Sequence, residues 1–424
     1  MSPKMTTITL PLLPSSPSLF LAWKSSFPPS PFLCLDLRSA SAFVVRHLVP
    51  STNIPGDELA DRWYELPPKQ TPFAVVEPKE SRDFAAWLVK KGWCVPWVLR
   101  EEDETVWREA NEFGMLWTER GPTKVQHEGI LAVSERDPQC VLDLSIPPEP
   151  WLLFHPCPFL ASNIVFIERS LALRHPPLQQ SSSTEFRPWR CLDIGCGSGR
   201  DITWLLSRSE ARWTATALDA WTGAVERTRA LFESMKFGGR VECLAQAKVM
   251  ADGGWRLISP AQRPAEAQQQ ELDGVDKNAP PVLADTRSSN SNPNISATPS
   301  KKEIFSPGLP TSTFFSHLFP NNSSSPTFDL ILTIRFLSRP LLPHLSQLLA
   351  PGGFLLVSHF VDDPNYEYDT PRPEHRLRRG ELAEIYGALE GLEIVIDKVD
   401  KVEDGRPVNS VLVKRKDEEK KRLV

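Results

Sequence analysis

Short apolar runs alternate with stretches of helical periodicity through the first 121 residues of the chain. The runs at 32–36, 73–76 and 95–99 have the length and composition of buried strands. Between the last two, the apolar residues of 81–91 recur with the spacing of one helix face. Because this order is strand, helix, strand, we expect a parallel sheet with helices packed against it.

The same alternation returns at Arg190 and continues almost to the end of the chain. The predicted strands are 191–194, 214–219, 328–332 and 354–358, the predicted helices are 202–206, 225–235 and 340–349, and a turn is predicted at 351–353. Two extended runs, 392–396 and 410–413, flank the turn-forming residues 403–405 and predict a terminal antiparallel hairpin. The predicted fold class is therefore α/β, with two domains built on parallel sheets.

A long polar segment, residues 260–327, interrupts the second alternation. It is rich in Ser, Pro, Asn and Gln and has few large apolar residues, so its burial cannot offset its ordering entropy. We therefore predict a disordered insert that splits one folded domain. The full division is an N-terminal domain at 1–121, a connector at 122–180, a second domain at 181–259 and 328–415, the insert at 260–327, and a charged tail at 416–424.

Composition narrows the function classes. The chain has 424 residues, which suggests two or three domains, and its formal net charge of −5 provides no field that attracts nucleic acid or anionic lipid. Its seven cysteines are dispersed without metal-type spacing, which is typical of buried thiols in a reducing compartment. No apolar stretch reaches the ~18 residues of a membrane span. We expect a cytoplasmic protein without a metal site, and neither nucleic acid nor a membrane as its partner.

The stretch most informative about chemistry is a glycine loop. Gly195, Gly197 and Gly199 alternate with other residues directly after the predicted strand 191–194. Glycine lets backbone approach a ligand closely, and the helix start after the loop presents unpaired N–H groups. Such a loop can bind a carboxylate or a phosphate. Asp193 precedes the loop, and its carboxylate would repel a nucleotide phosphate, which favours the first alternative.

The D-x-G-x-G-x-G pattern of residues 193–199 resembles motif I of class I S-adenosylmethionine-dependent methyltransferases, and it departs from the G-x-G-x-x-G of dinucleotide-binding proteins. Residues 328–336 and the L-x-P-G-G turn at 349–353 resemble later parts of the same fold, and 335–341 resembles a tellurite-resistance-type, small-molecule subgroup. The resemblance covers 190–414 without the insert. It implies a Rossmann-like sheet and S-adenosylmethionine as the cofactor, with the loop around its methionine half and Asp193 near its ammonium group.

Further cofactor contacts follow from the same resemblance. Asp219 ends the next predicted strand, where an acid can accept hydrogen bonds from both ribose hydroxyls. Where the family often has an acid followed by alanine, this chain has Gln246 followed by alanine, and its amide can pair with the adenine edge. The implied cofactor-binding set is Asp193, Gly195, Cys196, Gly197, Gly199, Asp219, Ala220 and Gln246.

Methyl transfer from an activated sulfonium needs mainly in-line positioning, and it needs a base only when the nucleophile holds its proton tightly. Two residues at the predicted carboxyl edge of the sheet are candidates for a catalytic role, Arg335 and His359. For His359 the other interpretation is a hydrogen-bonded histidine at a strand end. Residues 362–379 form either a lid over the substrate or an ordinary surface loop. The methyl acceptor stays open beyond a small-molecule nucleophile.

The N-terminal domain resembles a second family. Residues 35–39, Phe43 and the H-L-V-P-S-T-N-I-P stretch at 47–55 resemble a rhodanese-like domain. Catalytic members of that family carry a sulfur-accepting cysteine after the next strand, but this chain has Glu77 there, and a carboxylate cannot form a persulfide. Cys94 lies past the following helix, and we interpret it as a buried thiol. We therefore expect no sulfurtransferase activity, and a scaffold or protein-binding role.

Two hypotheses of different class follow. In the first, the chain is an active methyltransferase joined to an inactive rhodanese-like module. In the second, it is a non-catalytic scaffold that uses both domains for interactions, which cofactor binding without turnover would favour.

Overall fold

A computed structural model of the protein describes residues 20, 23–24, 33–80, 83–119, 151–174, 187–208, 213–258, 308–320 and 326–417. The chain divides into two compact units, Met1–Ala161 and Ser162–Val424. Each unit contains a parallel sheet, so the mixed α/β class predicted from the alternation is confirmed.

The first unit forms from the apolar runs near the N-terminus. Its elements are β1 (Cys34–Asp36), α1 (Ala40–Val45), β2 (Arg46–Leu48), β3 (Thr52–Asn53), a 3-10 turn (Trp63–Glu65), β4 (Ala74–Glu77), α2 (Phe84–Lys90), β5 (Trp97–Arg100), α3 (Glu104–Glu112) and β6 (Leu116–Thr118). The order β3–β1–β4–β5 is parallel throughout, and β2 and β6 form a separate antiparallel pair.

The sheet of the first unit is buried on both faces. Alternate residues of a strand point to opposite sides, so Leu35 and Val75 contribute to one apolar cluster while Cys34 and Val76 contribute to another. This two-sided burial explains why the strands read as continuous apolar runs.

The second unit contains the other alternation. Helix α4 (Pro158–Arg174) lies in the predicted connector and is followed by β7 (Trp189–Ile194), α5 (Arg200–Leu206), β8 (Trp213–Asp219), α6 (Thr222–Ser234), β9 (Val241–Val249), β10 (Trp255–Leu257), α7 (Thr311–Leu318), β11 (Phe328–Ile334), β12 (Leu349–Phe360), α8 (Glu381–Gly387), β13 (Leu392–Lys401) and β14 (Pro407–Arg415). Three 3-10 helices, Gly238–Arg240, Leu342–Leu348 and Pro373–His375, complete the described elements of this unit.

These strands form an eight-stranded sheet in the order β10–β9–β8–β7–β11–β12–β14–β13. The five strands from β9 to β12 are parallel, whereas β10, β14 and β13 each pair antiparallel to their neighbours. In chain order, β7 is the central strand of this sheet, and β8 and β9 are added on one side of it. The strands from β11 onward are added on its other side. The terminal hairpin predicted from the sequence is confirmed as β13 and β14.

The predicted insert is wrong in its last part. Residues 308–320, assigned to disorder from their composition, include the helix α7, and its Phe314 and Phe315 are buried. Trp255 of β10 stacks on Phe314 at 4.9 Å between ring centroids and pairs with Leu309 through two backbone hydrogen bonds of 2.8 Å. A short helix with aromatic residues thus lies within a segment whose overall composition is polar. Residues 260–307 and 321–325 lie outside the described part, as do 122–150 and 175–180 of the predicted connector.

Two local predictions also need correction. The turn expected at 351–353 lies within β12, next to an irregularity where the register between β11 and β12 shifts. The strand can pass through this irregularity because residue 353 is a glycine. A Cβ at that position would lie only 2.9 Å from the Ala350 carbonyl oxygen. The helix expected at 340–349 is a 3-10 helix over Leu342–Leu348, with a proline in its first turn.

Candidate functional site

The strand order places a crevice at one edge of the large sheet. The connections from β7 and from β11 leave toward opposite sides of the sheet, so the loops after these neighbouring strands diverge. Ligands of open α/β sheets bind in such a crevice, outside the carboxyl ends of the strands. The glycine loop follows β7 and Arg335 follows β11, so both stand at this switch point.

The strand register brings Asp193 and Asp219 to the same side of this edge. Asp193 of β7 pairs with Ala217 of β8, and Asp219 lies two residues further along β8. Paired residues share a face and side chains alternate along a strand, so both carboxylates project from one face, on adjacent strands. Their separation in sequence thus becomes a short distance across the crevice.

The glycine loop has the backbone geometry that the alternating glycines predict. Gly195, Gly197 and Gly199 all have positive φ, at 72°, 60° and 74°. Side chains strain such a backbone, and a Cβ at Gly195 would lie 2.5 Å from Phe336 Cβ. At Gly197, in contrast, no described atom lies within 4 Å of the Cβ position, so the middle of the loop faces open space. This open backbone is the surface on which a ligand could lie.

Asp219 links the loop to β8. Its Oδ2 accepts a hydrogen bond of 3.0 Å from the Gly197 N–H, and its Oδ1 accepts one of 2.9 Å from the Trp221 N–H. The carboxylate therefore holds the apex of the loop and the start of α6 in one arrangement. Each carboxylate oxygen can accept more than one hydrogen bond, so these bonds leave acceptor capacity for a ligand hydroxyl.

Asp193 is a buried carboxyl group without a partner. Its side chain is 3% exposed, and within the described part of the chain no group donates a hydrogen bond to it. Burial, with smaller contributions from the negative charges of Asp201 and Asp219, raises the pKa of Asp193 well above its ordinary value. An ionised carboxylate in this environment needs a cation, so the site is suited to an ammonium group.

Cys196 has a packing role in the loop. Its Sγ lies 3.5 Å from Thr228 Oγ1 of α6, and that hydroxyl lies 3.3 Å from the Gly197 carbonyl oxygen. Burial raises the pKa of the Cys196 thiol well above its ordinary value, which keeps the sulfur neutral. Thr228 also lies against Gly199, where a Cβ would approach its methyl group to 2.7 Å. No sequence pattern indicates Thr228, which the fold brings to the loop from the next helix.

Gln246 and Ala220 adjoin this arrangement. Gln246 lies within β9 and pairs in register with Asp219. Its Nε2 donates hydrogen bonds to the Ala220 carbonyl oxygen at 3.0 Å and to Thr222 Oγ1 at 2.9 Å. Because Nε2 makes both of these bonds, the side-chain oxygen, Gln246 Oε1, is the group that can accept a hydrogen bond from a ligand.

Arg335 stands directly after β11 in a strained conformation. Its φ of 58° is in the left-handed region, and its N–H donates a 2.7 Å hydrogen bond to the Ser358 carbonyl oxygen of β12. Its guanidinium is exposed, lies 5.9 Å from the Phe360 ring centroid, and makes no ion pair with another described residue. Backbone strain retained at a ligand edge favours a functional role.

His359 lies at the same edge but on the opposite face. It is two residues beyond Val357, whose side chain belongs to the apolar core around α8, and it is only 5% exposed. Its Nε2 is 2.8 Å from the His375 carbonyl oxygen, so this nitrogen donates. Burial lowers the pKa of His359, and the His375, Arg339 and Arg335 charges add to that effect. The structure therefore does not bring this imidazole to the face that carries Asp193 and Asp219.

Charged groups that sequence reasoning did not assign surround the loop. Burial and the nearby Arg335 charge lower the pKa of Arg200, at the start of α5, while Asp201 and Glu403 oppose this shift. Glu403 belongs to the turn of the terminal hairpin, so that turn lies near the glycine loop, at the carboxyl ends of the parallel strands. The turn is near the loop because β14 pairs antiparallel with β12, and this pairing cannot be predicted from the sequence around Glu403.

The segment 362–379 is well connected at this edge. Arg376, 7% exposed, lies with its guanidinium 3.8 Å from the Tyr368 ring centroid and donates to the Pro371 carbonyl oxygen at 2.8 Å. The Tyr368 hydroxyl donates to the Val361 carbonyl oxygen at 2.7 Å. These bonds fix the segment against the end of β12.

In the first unit, Glu77 lies at the carboxyl end of a parallel strand, and Asp36 and Arg38 form an ion pair nearby in the same sheet. Glu77, 1% exposed at the end of β4, accepts a 2.8 Å hydrogen bond from the Ala85 N–H and lies 3.0 Å from Arg100 Nη1. Asp36 and Arg38 are both buried and pair at 2.6 Å. Cys94 is half-buried, not fully buried as predicted, and this burial raises the pKa of its thiol, which reduces its thiolate fraction.

Other site classes find no support in the described ranges. No group of three or more His, Cys, Asp or Glu side chains is arranged to hold a metal ion within them. Their helices also include none with the length and apolar character required to cross a bilayer.

Comparison with known proteins gives one similar sequence and several similar structures. The chain is 29% identical over 392 residues to the uncharacterized protein UNK4.09 of Schizosaccharomyces pombe, with 90% of this chain and 93% of that protein covered. No protein-family model matches the chain.

Several of the similar solved structures are described as methyltransferases. An O-methyltransferase family protein from Burkholderia thailandensis is 13% identical with a TM-score of 0.29, and 61% of this chain covers 59% of that one. An O-methyltransferase from Bacillus cereus, in complex with SAH, is 12% identical with a TM-score of 0.28, and 60% of this chain covers 91% of it. The chain spans less than two thirds of the Burkholderia protein. The α/β class of the second unit follows from its own strand order.

Proposed function

We propose that the second unit binds S-adenosylmethionine and transfers its methyl group to a small-molecule nucleophile. The observation that carries this proposal is Asp193, a buried carboxyl group that no described residue bonds or pairs with, beside an open glycine loop. A ligand that combines an ammonium group, a carboxylate and a ribose matches the unpaired acid, the loop N–H groups and Asp219.

Each residue of the predicted set then has a role. Asp193 binds the ammonium group, the backbone at Gly195 and Gly197 lies along the methionine moiety, and Asp219 accepts hydrogen bonds from the ribose. Gln246 Oε1 accepts a hydrogen bond from the adenine amino group, beside Ala220. Cys196 and Gly199 maintain the loop through their contacts with α6.

The chemistry asked of the protein is mainly positioning. When bound, the cofactor supplies an activated methyl group on a sulfonium. The nucleophile must approach that methyl group in line with the bond to sulfur, and exclusion of water protects the reaction. Arg335, at the end of β11 next to the loop, is placed to orient an acceptor there. A base acts only on an acceptor whose proton is tightly held.

Calorimetry tests cofactor binding. We expect saturable heat with S-adenosylmethionine and its loss in Asp219→Ala, because that substitution removes both the ribose acceptor and the bond to the Gly197 N–H. Asp397→Ala is the matched control, since Asp397 lies on the outer strand β13 away from the loop. Absence of heat with the unmodified protein would refute the proposal.

Labelling tests turnover. The protein, incubated with methyl-labelled cofactor at a limiting concentration and fractionated small-molecule extract, should transfer label to a fraction, and Asp193→Asn should reduce that transfer at least tenfold. Cofactor binding with no labelled fraction would instead favour the alternative, a non-catalytic cofactor-binding scaffold.

We further propose that the first unit is a rhodanese-like domain without sulfurtransferase activity that serves as a protein-binding module. The support is Glu77, whose carboxylate is committed to the Ala85 N–H and to Arg100 where a nucleophilic cysteine would be required. Incubation with thiosulfate and cyanide should release no thiocyanate. Release that Cys94→Ser abolishes would contradict this assignment.

A further inference from the structure

Arg335 is an exposed cation at the carboxyl ends of the parallel strands. Its guanidinium group makes no ion pair with any other residue that the structure describes. Five arginines of the neighbouring segments, in contrast, each pair with a carboxylate: Arg339 with Glu381, Arg376 with Asp362, Arg378 with Glu384, Arg379 with Asp363, and Arg406 with Asp404. The charge of Arg335 is therefore available to a ligand in a way that the charges of these five arginines are not.

The backbone of Arg335 is fixed next to the glycine loop. The following residue, Phe336, packs on Gly195, where a Cβ would lie 2.5 Å from Phe336 Cβ. On the other side, the Arg335 N–H donates a 2.7 Å hydrogen bond to the Ser358 carbonyl oxygen. The left-handed φ of 58° is retained between these two contacts. The guanidinium group therefore projects from a defined point between the loop and the end of β12.

The acids near Arg335 are engaged by other arginines. Hydrogen bonds from Arg406 and, to a smaller extent, the Arg335 charge lower the pKa of Asp404, so Asp404 lies near both. However, Arg406 Nε donates to both Asp404 oxygens at 3.0 Å, and Arg406 Nη2 donates to Oδ2 at 2.6 Å. Burial lowers the pKa of Arg200, and Glu403 is one of two acids that oppose this shift. These nearby carboxylates thus act mainly on other cations.

Several positive charges meet around Arg335. Burial lowers the pKa values of Arg200 and His359, and the Arg335 charge lowers both further. Arg335 and Arg406 also border one aromatic ring, because their guanidinium carbons lie 5.9 Å and 4.3 Å from the Phe360 ring centroid. Like charges repel each other, and an anion among them would reduce this repulsion. The surroundings of Arg335 therefore favour a ligand with a negatively charged group.

A carboxylate is the anion that fits this environment best. The planar guanidinium group can donate two parallel hydrogen bonds to the two oxygens of a carboxylate. One guanidinium group also balances one negative charge. A phosphate group carries about −1.5 to −2 charges at neutral pH, and its excess charge would be repelled by Asp404 and Glu403.

We propose that the methyl acceptor is a small carboxylate and that Arg335 binds its carboxylate group. The assignment of this ligand as the acceptor rests on the proposed function. Arg335 follows β11 and the glycine loop follows the adjacent strand β7, so a ligand held by Arg335 lies beside the loop. Arg335 would then determine which acceptors bind, while Asp193 and Asp219 bind the cofactor.

Chemical modification tests the carboxylate site without any need for turnover. Phenylglyoxal, which reacts with accessible guanidinium groups, is applied to the full chain in acetate, in acetamide, or in sodium chloride at the same ionic strength. Peptide mass spectrometry then measures the rate of modification at each arginine. We expect saturating acetate to slow the reaction of Arg335 about threefold or more, whereas acetamide, which has the same shape without the charge, should not.

Arg169 is the internal control for this experiment. It is an exposed arginine of α4, and its neighbour Phe166 contacts Phe354 in the first half of β12, away from the carboxyl end of that strand. Its rate of modification should be the same in acetate and in chloride. Equal slowing of Arg335 by acetate and chloride would indicate screening alone and would overturn the proposal. Stronger protection by inorganic phosphate than by acetate would also overturn it.

Substitutions of Arg335 test its role in the reaction. Arg335→Gln removes the charge, so label transfer at limiting amounts of the accepting fraction should fall about tenfold or more, with cofactor binding and Tm unchanged. Arg335→Lys keeps the charge without the planar fork and should lose less. Arg169→Gln is the matched control and should transfer label normally. A fall in Tm and in cofactor binding that accounts for the loss in Arg335→Gln would show a structural role instead.

The two proposals fail separately. Protection of Arg335 by acetate without heat from S-adenosylmethionine would refute methyl transfer and leave the carboxylate site intact. The accepting compounds should be retained by an anion exchanger at neutral pH before the reaction. Label transfer to compounds that the exchanger does not retain, or transfer that Arg335→Gln does not affect, would refute the carboxylate acceptor alone.

Discussion

Replacing Asp193 by Asn should stabilise the ligand-free protein while it weakens cofactor binding. The carboxyl group is 3% exposed, no group in the described ranges pairs with it, and burial raises its pKa. The folded protein therefore holds this proton to a higher pH than the unfolded chain does, so the contribution of Asp193 to stability falls as pH rises above its ordinary pKa. Asn keeps the shape and carries no charge.

The magnitudes follow from the burial. An unsatisfied buried group costs about 1–3 kcal/mol, and each kcal/mol corresponds to roughly 2–4 °C in a unit of this size, so Tm should rise by roughly 2–12 °C at pH 7. The gain should disappear at acidic pH, where the aspartate is protonated in both states. Loss of the contact with an ammonium group should cost about 2 kcal/mol or more, which is about 30-fold in Kd.

A second buried acid provides the control. Asp329 is 1% exposed, but it accepts a 2.9 Å hydrogen bond from the Arg190 N–H and lies 3.8 Å from Arg174 Nη1. Asp329→Asn should therefore lower Tm and change the cofactor Kd little. Scanning calorimetry and titration calorimetry on both variants decide the matter. If Asp193→Asn behaves like Asp329→Asn, Asp193 has a structural partner and the reasoning about the cofactor ammonium fails.

Three further predictions concern backbone strain and packing. Gly195→Ala should lower the free energy of unfolding by about 2 kcal/mol or more, because its Cβ would lie 2.5 Å from Phe336 Cβ, whereas Gly197→Ala, which adds only left-handed strain, should cost about 1–2 kcal/mol; denaturant titration compares them. Arg335→Gly relieves a φ of 58°, so stability should stay equal or rise by up to about 1 kcal/mol while label transfer falls at least tenfold; a parallel loss of stability would mean a structural role. Phe315→Ala should destabilise the second unit by about 3–5 kcal/mol, since this side chain is 0% exposed, and a change under about 1 kcal/mol would show that α7 contributes little.

The sequence predicts most of the sheet because its strands are buried on both faces. Apolar runs such as 191–194 and 328–332 fall within the observed β7 and β11, and the glycines fall where φ is positive. Position along a strand also predicts that Asp193 and Asp219 reach the same edge.

Contacts made across the fold could not be predicted in this way. Thr228 meets the loop only because α6 packs beside α5, and Glu403 reaches the ligand edge only through the hairpin. Strand parity likewise decides that His359 faces away from Asp193, and a one-residue change in register would have reversed it. The composition of residues 260–327 does not predict helix α7, because the few aromatic residues of this helix lie in a long polar segment.

The β-bridge between Trp255 and Leu309 gives the second unit a natural attachment point for engineering. The chain leaves the sheet just after this bridge and re-enters it there, and Gly254 and Gly308 approach so closely that a Cβ on Gly308 would lie 2.6 Å from the Gly254 carbonyl carbon. The described residues on either side of 259–307 are thus held close to each other by the fold. A fluorescent reporter could replace that stretch without separating the residues that flank it. A deletion that extends past Gly308 into α7 would instead remove the buried side chains of Phe314 and Phe315 from the core.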